Sequence, residues 1–371
     1  MKLQIALLPG DGIGPEVIQQ AVKVLNAIAE KFNHTFTYHK GIVGACAIEK
    51  FGTPLPNQTL KICTESDAIM FGAIGDPKYD KEPNAKIRPE QGLLQLRKKL
   101  GLFANIRPVT TYNSLLHKSN LKEQIIDGTD FIIYRELTGG IYFGEKKLSD
   151  GGTIATDSCK YSVEEIDRIA HLAFKAAILR RKRLTLVDKS NVLETSKLWR
   201  TRVVEISKQY PSVKLNFLYA DTAAMQLILK PTQFDIILTS NMIGDILSDE
   251  ASVISGSIGL LASASIGKHT ALFEPIHGSY PLAKGKNIAN PLAAILSAAM
   301  LLDHFEMYDE AENIRTAVEK SIDLNITTPD LNSKNHFSTT NVGNFISDFI
   351  LDDDNTFYNK SNIDLGQSTI I

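Results

Sequence analysis

Two apolar patterns alternate along the chain. Short continuous apolar runs are typical of buried parallel strands, and apolar residues repeating every three or four positions indicate helices with one buried face. The predicted strands are 3–8, 67–72, 131–135, 184–188, 214–219 and 234–239. The predicted helices start at Pro15 and at Pro291 (capped by Asn290), and cover about 162–180, 193–209 and 221–230. The alternation predicts an α/β fold with a largely parallel sheet.

Polar residues follow the predicted strands where those strands end. Arg135 closes one strand, 188–189 follows another, 220–221 a third, and 239–241 leads into a helix. In open α/β sheets, ligands bind outside the carboxyl ends of the strands. The recurrence therefore predicts one convergent site.

The amino-acid composition argues against some classes of binding partner. The 371 residues carry 40 basic and 42 acidic side chains, which gives no overall attraction to nucleic acid. No apolar run reaches the roughly 18 residues that span a bilayer, and the chain begins with a strand rather than a secretory signal. Three cysteines without metal-type spacing fit a reducing compartment. We expect a cytoplasmic protein with no nucleic-acid or membrane partner.

The segment 241–249 (NMIGDILSD) places Asp245 and Asp249 on one helical face. Like charges at this spacing destabilise a helix unless a positive charge lies between them. A divalent cation held by carboxylate oxygens would supply that charge. The alternative is a solvated polar face, which the apolar neighbours of the two acids disfavour.

Three arginines, Arg97, Arg107 and Arg135, lie among apolar neighbours. A lone buried cation is unfavourable, and arginine binds carboxylates through two parallel hydrogen bonds. The three together would suit a di- or tricarboxylate substrate. Internal ion pairs with Glu90 or Glu136 are the alternative.

Three further side chains have two interpretations each. Asp221 opens a helix, where it is either an N-cap or a third metal ligand. Lys189 is either a surface lysine or a base. Tyr142, in a glycine-flanked segment, either packs or donates a proton.

Two loops are candidates for contact with a nucleotide. The segment 9–16 (PGDGIGPE) follows a strand, but proline at position 15 and the lack of a suitable acid about 20 residues later exclude the dinucleotide fingerprint. It is either a tight turn or a close approach to a ligand. In 274–291, His277 is followed by Gly-Ser in a loop that ends at a helix N-terminus, which suits a nucleotide phosphate. Packing of His277 is the alternative.

Seven collinear motifs together are more specific than any one of them. They are LPGDGIGPEV, RPEQGLLQLRKKLGLFANIRP, YRELTGGIYFG, VDKSNVLE, NMIGDILSD, FEPIHGSYP and NIANP. Over about 1–350 the chain resembles the β-decarboxylating dehydrogenases of the isocitrate/isopropylmalate family. The resemblance implies an open, non-Rossmann α/β sheet with two domains flanking a cleft. The first domain would comprise 1–102 and 256–371, and the second 103–255.

The resemblance also implies a role for each matching residue. The substrate would contact Arg97, Arg107, Arg135, Asp221, Glu90 and Leu93. Tyr142 and Lys189 would be catalytic, and Mg²⁺ or Mn²⁺ would be held by Asp245 and Asp249 with Asp221 of the partner in a homodimer that shares its active sites. The implied NAD contacts are Ile13, Asp76, Glu90, Glu274, His277, Gly278, Ser279 and Asn290.

The segment 90–94 (EQGLL) matches the branch of the family that oxidises and decarboxylates 3-isopropylmalate in leucine biosynthesis, because Leu93 and Leu94 would face an isopropyl group. Two positions depart from the NAD-dependent pattern. Leu282 replaces an aspartate expected on the adenosine ribose, and Asp76 replaces a common glycine. The cationic residues of NADP-dependent relatives are also missing, so NAD remains the expected cofactor. Rival functions are a homoisocitrate or tartrate/malate dehydrogenase, a metal-dependent lyase, and a non-catalytic subunit.

Overall fold

The computed structural model describes residues 1–80 and 87–352, and the polar tail that follows lies outside them. The chain divides into two compact units. Unit 1 comprises Met1–Leu93 and Phe273–Ile371, and unit 2 comprises Leu94–Leu272. The domain boundaries expected between residues 102 and 103 and between residues 255 and 256 stay a prediction.

The described residues alternate between strands and helices. The strands are β1 (Lys2–Gly10), β2 (Thr35–Lys40), β3 (Ala68–Ala73), β4 (Ala104–Thr110), β5 (Asp130–Glu136), β6 (Lys146–Ser149), β7 (Ile154–Asp157), β8 (Arg183–Asp188), β9 (Lys214–Tyr219), β10 (Ile236–Thr239), β11 (Ala262–Ile266) and β12 (Ala271–Pro275). The helices are α1 (Gly14–Lys31), α2 (Ala45–Phe51), α3 (Asn57–Glu65), α4 (Pro77–Asp80), α5 (Glu90–Leu100), α6 (Glu123–Ile126), α7 (Val163–Leu179), α8 (Glu194–Ser207), α9 (Ala220–Leu229), α10 (Asn241–Ala251), α11 (Leu292–His304), α12 (Tyr308–Asp323) and α13 (Thr339–Leu351).

In unit 1, helix α1 fixes the position of the loop that precedes it. Proline in its first turn presets the backbone angle, and the apolar residues recur on one face. That face is buried, with α1 in contact with α11 and α13. Each fully buried Val, Leu or Ile contributes roughly 1.5–3 kcal/mol. The buried apolar residues of α1 are Val17, Ile18, Ala21, Val24, Leu25, Ala27 and Ile28.

The strands of unit 1 follow the order β2-β1-β3-β12, with β1 parallel to both β2 and β3. Those of unit 2 follow β11-β4-β5-β10-β8-β9. Here β5, β10, β8 and β9 are parallel, whereas β4 pairs antiparallel with both β5 and β11. The prediction of an α/β fold with an open, mostly parallel, non-Rossmann sheet is confirmed.

A core around Trp199 and Phe174 joins helices α7 and α8 to the sheet of unit 2. Helix α7 begins with a capping box, in which Ser162 accepts from the Glu165 N–H and Glu165 accepts from the Ser162 N–H. Among the described residues, no helix is long and apolar enough to cross a membrane.

All six predicted strands and the predicted helices are present. The strand predicted at 234–239 begins only at Ile236, since the buried Asp235 accepts hydrogen bonds from Arg180 Nε and the Arg183 N–H. The sequence patterns missed β2, β4, β6, β7, β11 and β12. Strand β4 contains proline and β11 reads Ala-Ser-Ala-Ser-Ile, so neither has the long β-branched run that marks a strand.

Candidate active site

The predicted polar strand ends meet at one edge of the sheet in unit 2. In the strand register, Thr239 of β10 lies opposite both Arg135 of β5 and Val187 of β8, and Asp188 lies opposite Tyr219 of β9. Because these strands are parallel, the segments that follow them leave from the same edge. The structure therefore brings the four strand ends together as the sequence predicts.

Arg135 is held between two residues of α10. Its Nε and Nη2 donate to Asn241 Oδ1 at 3.1 and 2.8 Å, and its Nη1 donates to Asp245 Oδ1. Helix α10 approaches closely because position 244 is glycine: a Cβ there would lie 2.7 Å from Arg135 Cγ. The arginine is 4% exposed, so its charge depends on these partners.

Arg107 is held in a similar way. Its Nε donates to Asn105 Oδ1 at 2.7 Å, and its Nη1 donates to Ser248 Oγ and, at 3.2 Å, to Asp249 Oδ1. Its Nη2 lies 3.8 Å from Asp245 Oδ1. The alternative partner Glu136 is engaged elsewhere, since it accepts hydrogen bonds from Arg168, Thr138 and Gly139.

The positive charges of this site act on one another. Burial first, and then the guanidinium of Arg107, lowers the pKa of Arg135 to about 10, with a smaller contribution from Arg97 and an opposing one from Asp245. Arg97 is partly buried on α5 and is close enough to contribute. Arg107, Arg135 and, more weakly, Arg97 thus contribute positive charge that attracts carboxylates, while their joint role in binding a substrate stays a prediction.

Asp245 and Asp249 lie four residues apart on α10, with exposed side-chain fractions of 32% and 68%. The positive charge between them in this chain is provided by Arg107 and Arg135. Two carboxylates with accessible oxygen atoms fit Mg²⁺ or Mn²⁺, which bind through one or two carboxylates and complete their shell with substrate and water. Within 1–80 and 87–352, no three His, Cys, Asp or Glu side chains form a metal-binding group.

Tyr142 joins the same cluster. Its hydroxyl donates to Asp245 Oδ2 at 2.8 Å, and its ring lies 5.8 Å from the Arg135 guanidinium. Burial raises the pKa of Tyr142, and the hydrogen bond to Asp245 raises it further. The phenol therefore keeps its proton at neutral pH, which a proton donor requires.

Lys189 and Asp221 form a separate pair in this chain. Lys189 Nζ donates to Asp221 Oδ1 at 2.5 Å, and this bond lowers the pKa of Asp221. The N-cap of α9 is Tyr219, so the N-cap interpretation of Asp221 is wrong. Lys189 follows Asp188, which is fixed by two hydrogen bonds from Arg200.

In unit 1, the glycine loop after β1 packs against the protein's own backbone. Gly10 and Gly12 have positive φ, and a Cβ on either would lie 1.9 Å from a carbonyl oxygen, that of Ala73 or Ser279 respectively. The Ile13 N–H donates to Ser279 O at 2.8 Å. The loop is therefore a tight turn that supports the 277–279 segment.

Asp11 connects this loop to two others. Its buried carboxylate accepts from the N–H groups of Ala45 (2.9 Å), Cys46 (3.0 Å) and Gly75 (3.0 Å). A Cβ on Gly75 would lie 3.1 Å from Glu90 Oε1 and 3.5 Å from Ser279 Oγ. Several residues expected at the cofactor therefore converge at this point.

The other residues expected at the cofactor also lie in unit 1. His277 is partly buried, and burial lowers its pKa. Its Nδ1 lies 3.0 Å from Gly278 O. Its buried Nε2 has no hydrogen-bond partner among the described residues. That nitrogen fits a ligand contact. Asn290 Oδ1 accepts from the Leu292 N–H, but the N-cap of α11 is Pro291, so the prediction that Asn290 caps this helix is wrong.

Of the remaining residues expected at the cofactor, Ile13, Glu274 and Ser279 are buried, and Gly278 is exposed. Asp76 Oδ1 accepts from the Lys78 N–H at the start of α4. The structure adds Asn105 and Ser248, which hold Arg107, and Asp11 to the site, and it shows that Asn241, at a predicted polar strand end, holds Arg135.

Comparison with known proteins agrees with this geometry. Residues 4–346 match the isocitrate/isopropylmalate dehydrogenase family, and the chain belongs to that family. It is 52% identical to a 3-isopropylmalate dehydrogenase of Bacteroides fragilis over 94% of this chain and 99% of that protein.

Solved structures show the same fold. An isocitrate dehydrogenase from Methylococcus capsulatus superposes with a TM-score of 0.85 at 34% identity, covering 94% of this chain and 99% of that one. A β-decarboxylating dehydrogenase from Thermococcus kodakarensis superposes with a TM-score of 0.77 at 36% identity, covering 94% of this chain and 96% of that one.

Proposed function

We propose that this protein catalyses the NAD-dependent oxidation and decarboxylation of (2R,3S)-3-isopropylmalate to 4-methyl-2-oxopentanoate and CO₂, a step in leucine biosynthesis. The observation that carries the proposal is the packing of Arg107 and Arg135 against Asp245 and Asp249, in a chain so similar to 3-isopropylmalate dehydrogenases. The same cluster supplies both anion-binding and cation-binding groups.

The arginines would bind the two carboxylates of the malate skeleton. Their planar guanidiniums match carboxylate geometry, and burial strengthens the interaction. Leu93 and Leu94 on α5 would face the isopropyl group. A third carboxylate, as in isocitrate, would be desolvated there without a partner, which costs several kcal/mol.

Asp245 and Asp249 would hold Mg²⁺ or Mn²⁺ together with Asp221 from the partner. When bound, the cation would polarise the C2 oxygen and stabilise negative charge on it. Tyr142, whose hydroxyl already lies at this cluster, would return a proton to the enol carbon. The amine of Lys189 of the other subunit would accept the proton of the C2 hydroxyl.

The loops of unit 1 would hold NAD through Ile13, Asp76, Glu90, Glu274, His277, Gly278, Ser279 and Asn290. When bound, NAD⁺ would accept the hydride from C2, since no side chain can do so. The neutral imidazole of His277 suits stacking or hydrogen bonding rather than an ionic contact.

The exposed surface of α9 and α10 supports the proposal of a homodimer with shared sites. These two helices are in contact with each other and carry exposed apolar side chains. Exposure of such a patch to water is unfavourable, and it is typical of an interaction surface. The same helices carry Asp221, Asp245 and Asp249. A second copy covering the patch would bring Asp221 of one chain toward α10 of the other. The exposed apolar residues are Met225, Ile228, Leu229, Met242 and Ile246.

The test is a panel of substrates and cofactors. Purified protein with Mn²⁺ is assayed for NADH or NADPH formation and for CO₂ release on 3-isopropylmalate, isocitrate, homoisocitrate, D-malate and tartrate. We expect the highest kcat/KM for 3-isopropylmalate with NAD⁺. Faster turnover of another acid would contradict the substrate assignment, and CO₂ release without NADH would indicate a lyase.

A further inference from the structure

Two buried asparagines hold the two arginines of unit 2 in the same way. Asn105 Oδ1 accepts from Arg107 Nε at 2.7 Å, and Asn241 Oδ1 accepts from Arg135 Nε and Nη2 at 3.1 and 2.8 Å. Each arginine directs its Nη1 to the other side, toward an aspartate of α10. One edge of each guanidinium is thus occupied by a neutral amide.

Each asparagine is itself fixed by further hydrogen bonds. Asn105 Nδ2 donates to Ser263 Oγ at 2.8 Å, with Ala264 O and Ser265 Oγ at 3.3 Å. It is fully buried, so its amide has no water to compete for these bonds. The side chain is held in one orientation, with its oxygen toward Arg107.

Asn241 is fixed from two other sides. Its Nδ2 donates to Gly139 O at 3.2 Å, and its N–H donates to the Tyr161 hydroxyl at 2.9 Å. Gly139 lies three residues before Tyr142, and a Cβ on Gly140 would lie 2.3 Å from the Tyr161 hydroxyl. Asn241 therefore connects Arg135 with the loop that carries the proposed proton donor.

We propose that Asn105 and Asn241 are positioning residues that fix the arginines for the substrate carboxylates, and that Asn241 also sets the position of Tyr142. The amide oxygen of each asparagine accepts on one edge of the guanidinium and so fixes the plane in which the arginine meets the substrate. The inference rests on the proposed function, because it assigns the arginines to an anionic substrate.

The variants differ in what they remove. Asn105→Ala and Asn241→Ala remove the acceptor, whereas Asn105→Asp and Asn241→Asp keep an oxygen facing the arginine. In Asn105→Asp the lost donor faces the Ser263 and Ser265 hydroxyls, which can rotate and donate instead, and Ala264 O only at 3.3 Å. In Asn241→Asp the lost donor faces the Gly139 carbonyl, which cannot.

Steady-state kinetics of the Mn²⁺-loaded enzyme then separate the roles. For both alanine variants we expect the KM for 3-isopropylmalate to rise on the order of 10-fold to 100-fold, with the KM for NAD⁺ unchanged. Asn105→Asp should restore the substrate KM. Asn241→Asp should restore most of it but lower kcat about 10-fold, because its carboxylate repels Gly139 O and displaces Tyr142.

Asn216→Ala, on β9 of the same unit, is the matched control and should keep wild-type constants. Folding is checked by circular dichroism, and if an alanine variant does not fold, the split between KM and kcat in the aspartate variants carries the test. Wild-type substrate KM in folded alanine variants would overturn the inference. So would aspartate variants as impaired in substrate KM as the alanine ones. Absence of wild-type turnover on 3-isopropylmalate would instead overturn the proposed function.

Discussion

The two units build their candidate sites from different materials. In unit 2, long charged side chains contact each other directly: Arg107 and Arg135 with Asp245 and Asp249. In unit 1, backbone segments converge, held by one buried carboxylate, Asp11, and by glycines that allow close contact. The candidate site in unit 2 therefore depends on charged side chains, and the one in unit 1 depends on close packing of backbone segments.

This difference determines what a mutation can show. A side chain in the charged cluster can lose its charge without moving a strand, so its effect should appear in catalysis more than in stability. A residue that holds three loops together cannot be changed without affecting both.

Asp245→Asn should have the largest effect. It removes a proposed cation ligand and leaves Arg135 beside a neutral amide. We expect kcat/KM to fall on the order of 1,000-fold, with Mn²⁺ affinity in a calorimetric titration also reduced. Glu250→Gln, on the same helix, is the control and should stay near wild type. Full activity in Asp245→Asn would refute the metal assignment.

Tyr142→Phe should follow. It removes the hydroxyl that contacts Asp245 but leaves the ring over Arg135. We expect kcat to fall about 100-fold while the substrate KM changes little. The raised pKa of Tyr142 implies that the wild-type enzyme keeps this donor protonated up to a pH above its ordinary value of 10.0. A wild-type kcat in the variant would show that the tyrosine only packs.

Asp11→Asn tests whether the residue that holds the backbone segments of unit 1 together affects both stability and cofactor binding. The amide can keep only one acceptor oxygen and presents N–H groups to backbone N–H groups. We expect the free energy of unfolding to fall by about 1–3 kcal/mol, and the KM for NAD⁺ to rise several-fold more than that for 3-isopropylmalate. Asp309→Asn, an exposed residue of the same unit, is the control for denaturant unfolding and kinetics. Normal stability together with a normal NAD⁺ KM would contradict the role of Asp11.

The smallest effect is the pH dependence that His277 brings. Burial lowers its pKa from 6.5, so the unfolded chain binds this proton more tightly. The stabilisation by neutral His277 is complete above about pH 6.5 and decreases as the pH falls toward the lowered pKa. His277→Asn should therefore lose less stability than wild type between pH 7.5 and 5.5, by about 1 kcal/mol or less. His269→Asn, an exposed control, should behave as wild type, and parallel pH profiles for wild type and His277→Asn would contradict this burial effect.

The charged cluster was largely predictable from sequence. Arginine or aspartate among apolar residues is unfavourable unless paired, so Arg135 and Asp245 stand out before any contact is known. Strand ends in a parallel sheet meet at one edge, which predicts that they converge. What the pattern left open was Asp221, because an N-cap and an ion-pairing residue at a helix start look alike in sequence.

The supporting residues could not be found in this way. Asn105 is a neutral residue within a strand, and Asn241, although it follows a predicted strand end, lies at a helix start, where asparagine is common for local reasons. Asp11, between two glycines, resembles an ordinary turn residue. Their roles depend on partners distant in the chain, such as Ser263 for Asn105 and Gly75 for Asp11. The local sequence pattern does not indicate contacts between residues that are distant in the chain.

We propose that each active site combines Asp245 of one chain with Lys189 of another, and subunit complementation tests this most directly. Asp245→Asn and Lys189→Met, each inactive alone, are co-expressed with different tags, and the activity of the mixed population is measured. A shared site predicts recovery of about a quarter of wild-type activity, because half of the dimers are hybrids with one intact site. If both residues act within one chain, every site in the mixture is damaged and no activity returns.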